Sequence, residues 1–186
     1  MAHTVAVVSQ LPLTVILRPL KLSDDGMALA RRVFDDPRCD YTAERGTFFE
    51  FYYEGNCVAL CGIYPRECPL RGCRYLLHTD CVDASFRRKG IGKCMHVFRI
   101  EFIRSILASG GVVEIQVEPH GDGERLLKST ISEGIYPFEY DRNELLGRIL
   151  VDVYILHVDR QTTSIALPNV FERDARADTT LSGARG

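Results

Sequence analysis

Hydrophobic positions in this chain form short β-branched or aromatic runs, broken by stretches where apolar residues recur every three or four positions. Leu13 to Leu20 crowds Thr, Val, Ile and Leu and predicts a strand. Ser23-Asp24-Asp25 then offers capping side chains ahead of Met27, Leu29, Ala30, Val33 and Phe34, an apolar stripe at helical spacing. The polar stretch from Asp35 to Glu44 contains Pro37 and reads as a loop or a short irregular helix. Phe48 to Tyr53 is dense in aromatic residues and fits either a strand or a short helix. Glu54-Gly55-Asn56 has hairpin-turn chemistry, and Cys57 to Tyr64 is the strand after it.

Pro65 to Gly72 reads as the next turn, and Cys73 to Val82 as a longer strand closed by Asp83-Ala84-Ser85. Ile91, Met95, Phe98, Phe102 and Ile106 recur at helical spacing, so a helix is expected from Ile91 to Ala108, ended by Gly110-Gly111. Val112 to Val117 is a β-branched strand. Pro119 to Gly123 is a loop, and Glu124 to Ser132 a helix stopped at Gly134. Pro137 to Tyr140 and Leu150 to Val158 predict two further strands, antiparallel across a turn at Asp141-Arg142-Asn143. The resulting order, β-α-β-β-α-β-α-β-β, is that of a mixed α+β domain.

Beyond Asp159 the composition shifts to Thr, Ser, Ala, Arg, Asp and Gly. Residues 1–160 are therefore expected to form a single domain, and 161–186 a loose C-terminal tail. A length of 186 residues suits one core. The content is 46% hydrophobic and 26% charged, that of an ordinary soluble protein. With a net charge of −2, no global field draws the chain to nucleic acid or an anionic membrane, and neither partner is expected. The seven cysteines are scattered, with no secretory signal ahead of them, so free thiols in a reducing cytoplasm are the simplest reading. Cys57 and Cys61 are expected to point to one face of their strand. Cys68 and Cys73 have no second ligand pair at metal-site spacing, and no metal is expected.

Arg87-Arg88-Lys89-Gly90-Ile91-Gly92-Lys93 lies between the strand ending at Val82 and the helix beginning near Ile91. Two glycines at such a junction permit a sharp turn with uncovered N–H groups. Beside three consecutive cations, those amides suit a multiply charged anion, most simply a pyrophosphate. A P-loop would need glycine at Arg87 and Ser or Thr at Cys94, and a dinucleotide fingerprint a third glycine near Met95. Neither pattern is met.

From Val82 through Phe86, Arg87, Gly90 and Gly92, the stretch resembles the coenzyme A motif of the GNAT acetyltransferase superfamily. That motif has a strand-ending valine, a short turn and an aromatic residue, then Arg/Gln-x-x-Gly-x-Gly/Ala opening a helix. The resemblance extends to element order from Leu13 to about Val158. It implies a mostly antiparallel sheet flanked by helices, with two strands splayed apart to hold acetyl-CoA as co-substrate. It further implies that Arg87, Arg88, Lys89, Gly90, Ile91, Gly92 and Lys93 surround the pyrophosphate, with backbone N–H groups from Arg88 onward. Cys81 and Val82 would bind the pantetheine through their main chain, near Val117, and the Val82 amide would face the developing oxyanion. The Cys81 thiol is expected to be a packed bystander.

Direct transfer requires a neutral amine, and a lysine-like amine gives up its proton at a cost of about 4–5 kcal/mol at pH 7. Leu76 occupies the position where matching family members can place a catalytic glutamate. His78 and Asp80, read as sharing a face with Leu76, are the substitute bases; Glu118 and His120 stand behind them. Aligning Gly134 with the family's helix-ending glycine puts Thr130 where a thiolate-protonating tyrosine is usual, and Gly123 where an asparagine is usual. Tyr136, or else Tyr140, is the expected replacement phenol.

The implied activity is acetyl transfer to a primary amine in a ternary complex. The alternative is a catalytically weakened acyl-CoA-binding sensor or interaction module. The acceptor is a small-molecule or peptide amine, and a homodimer is compatible with the pattern. The acceptor loops are expected at Met27 to Phe51 and Asp141 to Gly147, where Asp35, Asp36, Asp40, Glu44, Glu50, Asp141 and Glu144 offer charge to a cationic amine.

Overall fold

A seven-stranded sheet organises the chain, with one helix on its front face and two on its rear. In the computed structural model, residues 11–35, 42–68, 72–107 and 110–159 are described. The expected tail beyond residue 160, and most of the loop at 35–44, lie outside them. The elements are β1 (Thr14–Lys21), α1 (Asp24–Phe34), β2 (Thr42–Tyr53), β3 (Asn56–Cys68), β4 (Gly72–Val82), α2 (Ile91–Ile106), β5 (Gly111–Val117), α3 (Asp122–Ser132), β6 (Glu139–Leu146) and β7 (Ile149–Val158). Their order across the sheet is β1-β2-β3-β4-β5-β7-β6, and only β4 and β5 run parallel.

The aromatic run at Phe48–Tyr53 belongs to strand β2, which adds a strand to the expected order. Its residues alternate between two covered faces: Phe48 packs under α1, while Phe49 and Phe51 meet α2. A strand buried on both sides loses its polar alternation and reads ambiguously in sequence. Pro65 lies in β3 and not in a turn, since β3 and β4 pair as far as Cys68↔Gly72. Asp141-Arg142-Asn143 is part of β6, and the chain reverses at Gly147-Arg148, where Gly147 has φ +62°. The expected acceptor loop at 141–147 is therefore mostly strand.

Both faces are filled. On the rear, Leu77, Ile91, Met95, Phe98, Ile100, Ile103, Val113, Ile115 and Leu127 form the main core between sheet, α2 and α3. On the front, Leu22, Leu29 and Ala30 of the α1 region cover Phe48, Leu60 and Cys81. An extra residue in β3 opposite Phe51–Tyr52 puts Cys57 against the front cluster and Cys61 in the rear core, so the two do not share a face.

Helix α1 is seated by chemistry as well as by packing. Ser23 caps it by accepting the Gly26 N–H, and Asp24 and Asp25 occupy its first turn. The fully buried Glu50 carboxylate accepts from the Ser23 N–H (2.7 Å), the Ser23 hydroxyl (2.8 Å), Arg18 Nε (3.0 Å) and the Tyr52 hydroxyl (3.0 Å). A side chain at Gly26 would meet Glu50 Oε1 at 2.2 Å, so only glycine lets helix and carboxylate meet.

Candidate active site

The glycine loop grows out of the end of β4. Asp83 caps a single 3₁₀ turn at Ala84–Phe86 by accepting the Ser85 N–H at 2.9 Å. Arg88 (φ +62°) and Gly90 (φ +81°) then take left-handed conformations that turn the chain into α2. None of the backbone N–H groups from Arg88 to Lys93 meets an acceptor among the described residues; the first returning bond is Cys94 N–H to Gly90 O, at 3.1 Å. The result is a concave run of amides at a helix N-terminus, the geometry that receives phosphate oxygens.

The surrounding cations have distinct surroundings. Arg87 donates from Nε to the Val82 carbonyl at 3.3 Å, and Lys89 lies 4.8 Å from the Phe86 ring centroid. Arg88 is exposed. Lys93, expected at the loop through its backbone N–H, commits its ammonium to Glu133 near the end of α3. Ile91 buries its side chain in the rear core, leaving only its amide at the loop. Gly92 serves helix packing too, because a Cβ there would come within 2.9 Å of Leu126 Cδ2 on α3.

Beside the loop, β4 and β5 part company. They pair from Cys73↔Gly111 to Leu77↔Ile115 and no further, although β4 continues to Val82 and β5 to Val117. The outer partners stay in place: β3 holds β4 as far as Ala59↔Val82, and β7 holds β5 as far as Val117↔Asp152. A wedge thus opens between His78–Val82 and the end of β5, and one edge of β4 offers its peptide groups to a ligand. A bulge marks where the wedge begins. Gly62 pairs with His78 and Leu60 with Cys81, so Cys61 alone faces both Thr79 and Asp80. Thr79 has φ +61°, a costly conformation for a β-branched residue.

His78 is exposed on the front of the wedge. Its Nδ1 lies 2.7 Å from Thr79 Oγ1, and its ring meets Tyr64 edge-on with centroids 5.6 Å apart. Burial pushes the Tyr64 phenol up, and a hydrogen bond with Thr79 partly offsets that. Thr79 thereby links the imidazole to the phenol.

No protein-family model matches the sequence, and no curated protein matches it. Solved structures do match. A Bacillus subtilis acetyltransferase in complex with CoA superposes with a TM-score of 0.56 at 16% identity, over 78% of this chain and 99% of that one. The ribosomal-protein-S18-alanine N-acetyltransferase of Escherichia coli gives 0.54 at 15% identity, over 83% and 99%. Arabidopsis thaliana Naa50, in complex with the bisubstrate analogue CoA-Ac-MVNAL, gives 0.53 at 14% identity, over 76% and 97%. The fold is that of the GNAT acetyltransferases.

Within this GNAT fold, the expected proton-handling residues separate. The bulge turns Asp80 to the rear face, away from His78 and Leu76, so the three do not share a face. There its carboxylate takes Arg99 Nη2 at 2.9 Å and a second bond from Nη1, with His96 Nε2 at 3.4 Å. Asp80 keeps 34% of its side chain exposed, and its partial desolvation would raise the carboxyl, but Arg99 and His96 together hold it far below the usual carboxylate range. A carboxylate fixed in that way is a poor proton acceptor. Cys81 remains packed on the front, its thiol pushed up to about 12 chiefly by burial, which fits a bystander.

Tyr136 is buried beside the far half of α2, where its hydroxyl donates to Glu101 Oε1 at 2.6 Å. Glu101 lies ten residues into α2, about 15 Å along the axis from the loop. Burial first, and Glu101 second, push the phenol well above its ordinary range. Tyr136 is a core residue whose hydroxyl is committed to Glu101, away from the glycine loop. Tyr140 donates to Asn143 on the exposed β6. Thr130 spends its hydroxyl on the Leu126 carbonyl at 2.9 Å. Glu118 and His120 lie exposed in the β5–α3 loop, where the His120 N–H is taken by Glu124.

Of the acidic acceptor residues, Asp36 and Asp40 lie outside the described residues, and three of the others are committed. Glu50 is saturated with donors, and Arg142 pairs with both Asp141 and Glu144 while reaching Glu114 at 3.5 Å. Apolar side chains mark this end of the wedge more clearly. Leu145, Leu146, Ile149 and Leu150 are exposed at the β6–β7 tip, beyond the end of β5.

Sequence reasoning missed Thr79, Tyr64 and Arg99. Thr79 carried no signal, because a β-branched residue belongs in a strand. Arg99 did: it lies four residues after Met95 and eight after Ile91, a charge on the helical stripe that faces the core.

Proposed function

We propose that the protein is an N-acetyltransferase that takes acetyl-CoA in the β4–β5 wedge and passes its acetyl group directly to a primary amine. The wedge carries this reading: a strand edge that β5 does not cover leads straight into a helix N-terminus whose amides meet no acceptor among the described residues. The amides of Arg88–Lys93 would take the pyrophosphate, assisted by Arg87, Arg88 and Lys89, and the His78–Val82 edge would pair with the pantetheine. A backbone N–H of that edge, at Val82 in our reading, faces the carbonyl oxygen as it gains charge.

The neutral amine attacks the thioester carbon and the C–N bond forms; the C–S bond then breaks, its electron pair leaves on sulfur, and the proton that nitrogen still carries in excess passes to solvent. His78, oriented by Thr79, takes the ammonium proton directly or through water before attack. The CoA thiolate is a tolerable leaving group without a dedicated acid, and solvent reprotonates it. This dispenses with Tyr136.

The acceptor is a small-molecule or peptide amine. The exposed leucines and isoleucine at the β6–β7 tip support a peptide amine flanked by an apolar side chain. Similar structures include one acting on a ribosomal protein and one bound to a peptide-like analogue. Free thiols at Cys57, Cys61, Cys81 and Cys94 support a reducing cytoplasm. No helix among the described residues is long and apolar enough to cross a membrane.

Calorimetric titration with CoA, paired with a thiol-release assay over an amine and peptide panel, tests the proposal. Binding with release for at least one amine is expected. Binding without release would leave the sensor reading standing, and absence of binding would remove both. Gly90→Asp should weaken CoA by about 100-fold, roughly 2.7 kcal/mol, by setting a carboxylate against the pyrophosphate.

A further inference from the structure

Arg99 lies wholly inside the protein, on the face of α2 that meets β3 and β4. Its guanidinium makes the bidentate pair with Asp80 and also donates from Nη1 to the carbonyls of Gly62 (3.3 Å) and His78 (3.4 Å). Nε reaches the Met95 carbonyl at 3.4 Å. Gly62 and His78 are the last regular pair before the bulge, and Asp80 is one of its two extra-register residues. One buried side chain therefore grips the bulge at three points. His96, buried alongside, adds a contact to the same carboxylate.

The bulge is not self-sustaining. Thr79 occupies a left-handed conformation that its branched side chain resists, and β3 and β4 would pair more simply without it. In the regular register Asp80 would turn to the front face, as sequence alternation suggests, and Cys81 would lose its place under α1. Arg99 would then be buried without a counter-charge, a large penalty. The ion pair thus decides between two registers of one strand pair.

We propose that Arg99 is a positioning residue of the transfer site: by clamping Asp80 and the His78 and Gly62 carbonyls, it fixes the β4 bulge and keeps β4 from closing on β5. It touches no substrate. Its effect on catalysis rests on the acetyl-transfer reading above, whereas its effect on the wedge does not.

The test uses Arg99→Met/Asp80→Leu, which removes both charges together and leaves neither unpaired, and Arg99→Lys, which keeps the charge but loses the fork. Hydrogen exchange over residues 77–83, thermal stability, CoA affinity and transfer kinetics are read on each. The double variant should be as stable as the wild type or more so. Its exchange pattern from His78 to Val82 should change while Cys73–Leu77 does not, with weaker CoA binding and a kcat lower by about 100-fold. Arg99→Lys should restore part of each. Wild-type exchange and CoA affinity in a folded double variant would overturn the proposal. Should that variant not fold, unchanged exchange in Arg99→Lys would overturn it equally. If the wild type transfers acetyl to no amine, the catalytic reading fails alone, and exchange with CoA affinity still decides the role of Arg99.

Discussion

The two halves of β4 differ in whether their second edge is paired. From Cys73 to Leu77 the strand is hydrogen-bonded on both edges, and Leu77 is almost fully buried. From His78 to Val82 it keeps β3 but loses β5, carries a strained Thr79, and exposes His78. The closed half carries core residues in Leu76 and Leu77; the next five residues make an edge a ligand can join. Strand character alone therefore says little about role. What counts is whether the second edge is satisfied.

That contrast is open to attack at four points, taken here in order of effect. His78→Ala on the open half should lower kcat by about 10²–10⁴ with little change in melting temperature, as measured by thiol release and calorimetry. A loss below tenfold would remove His78 as the base. Leu77→Ala on the closed half should do the reverse, costing about 2–5 kcal/mol in urea unfolding while the folded fraction still binds CoA.

Tyr136→Phe sharpens the contrast from a distance. Deleting the hydroxyl that donates to Glu101 should cost about 1–2 kcal/mol of stability and leave kcat unchanged. A large fall in kcat would restore the phenol to the chemistry.

The smallest effect is in pH. Burial holds the His96 imidazole below its ordinary value, more than its hydrogen bond to Asp80 raises it. As pH falls, the unfolded chain therefore takes the proton first. The stability tied to neutral His96 is complete above about pH 6.5 and is lost progressively as pH falls below it. His96→Gln should flatten the urea stability profile between pH 7.5 and 5.5; an unchanged slope would mean that His96 titrates freely.

The contrast was only half visible in the amino-acid sequence. The closed half of β4, helix α2 and the glycine loop follow from local periodicity and from Gly90 and Gly92, because their determinants lie within each segment. The wedge was anticipated through the family resemblance and not through any property of His78–Val82. The bulge was out of reach, since it depends on Arg99, nineteen residues beyond Asp80, and sequence alternation misled by setting Asp80 beside His78. Tyr136 misled for a related reason: Glu101, which claims its hydroxyl, lies thirty-five residues earlier in the chain. The reversal at Gly147 was misplaced because Asp141, Arg142 and Asn143 have turn-like composition, while their charges are neutralised within the sheet.

The position of Arg99 on α2 has a consequence for the order of folding. β3 and β4 are joined by a short connection and can pair early, when closing the loop costs little entropy. Pairing then favours the regular register, because Thr79 is strained in the bulged one. Only when α2 docks does a buried cation demand Asp80, and the strand must slip to supply it. This order predicts that the groove is shaped last during folding, so amides from His78 to Val82 should exchange faster than those from Cys73 to Leu77.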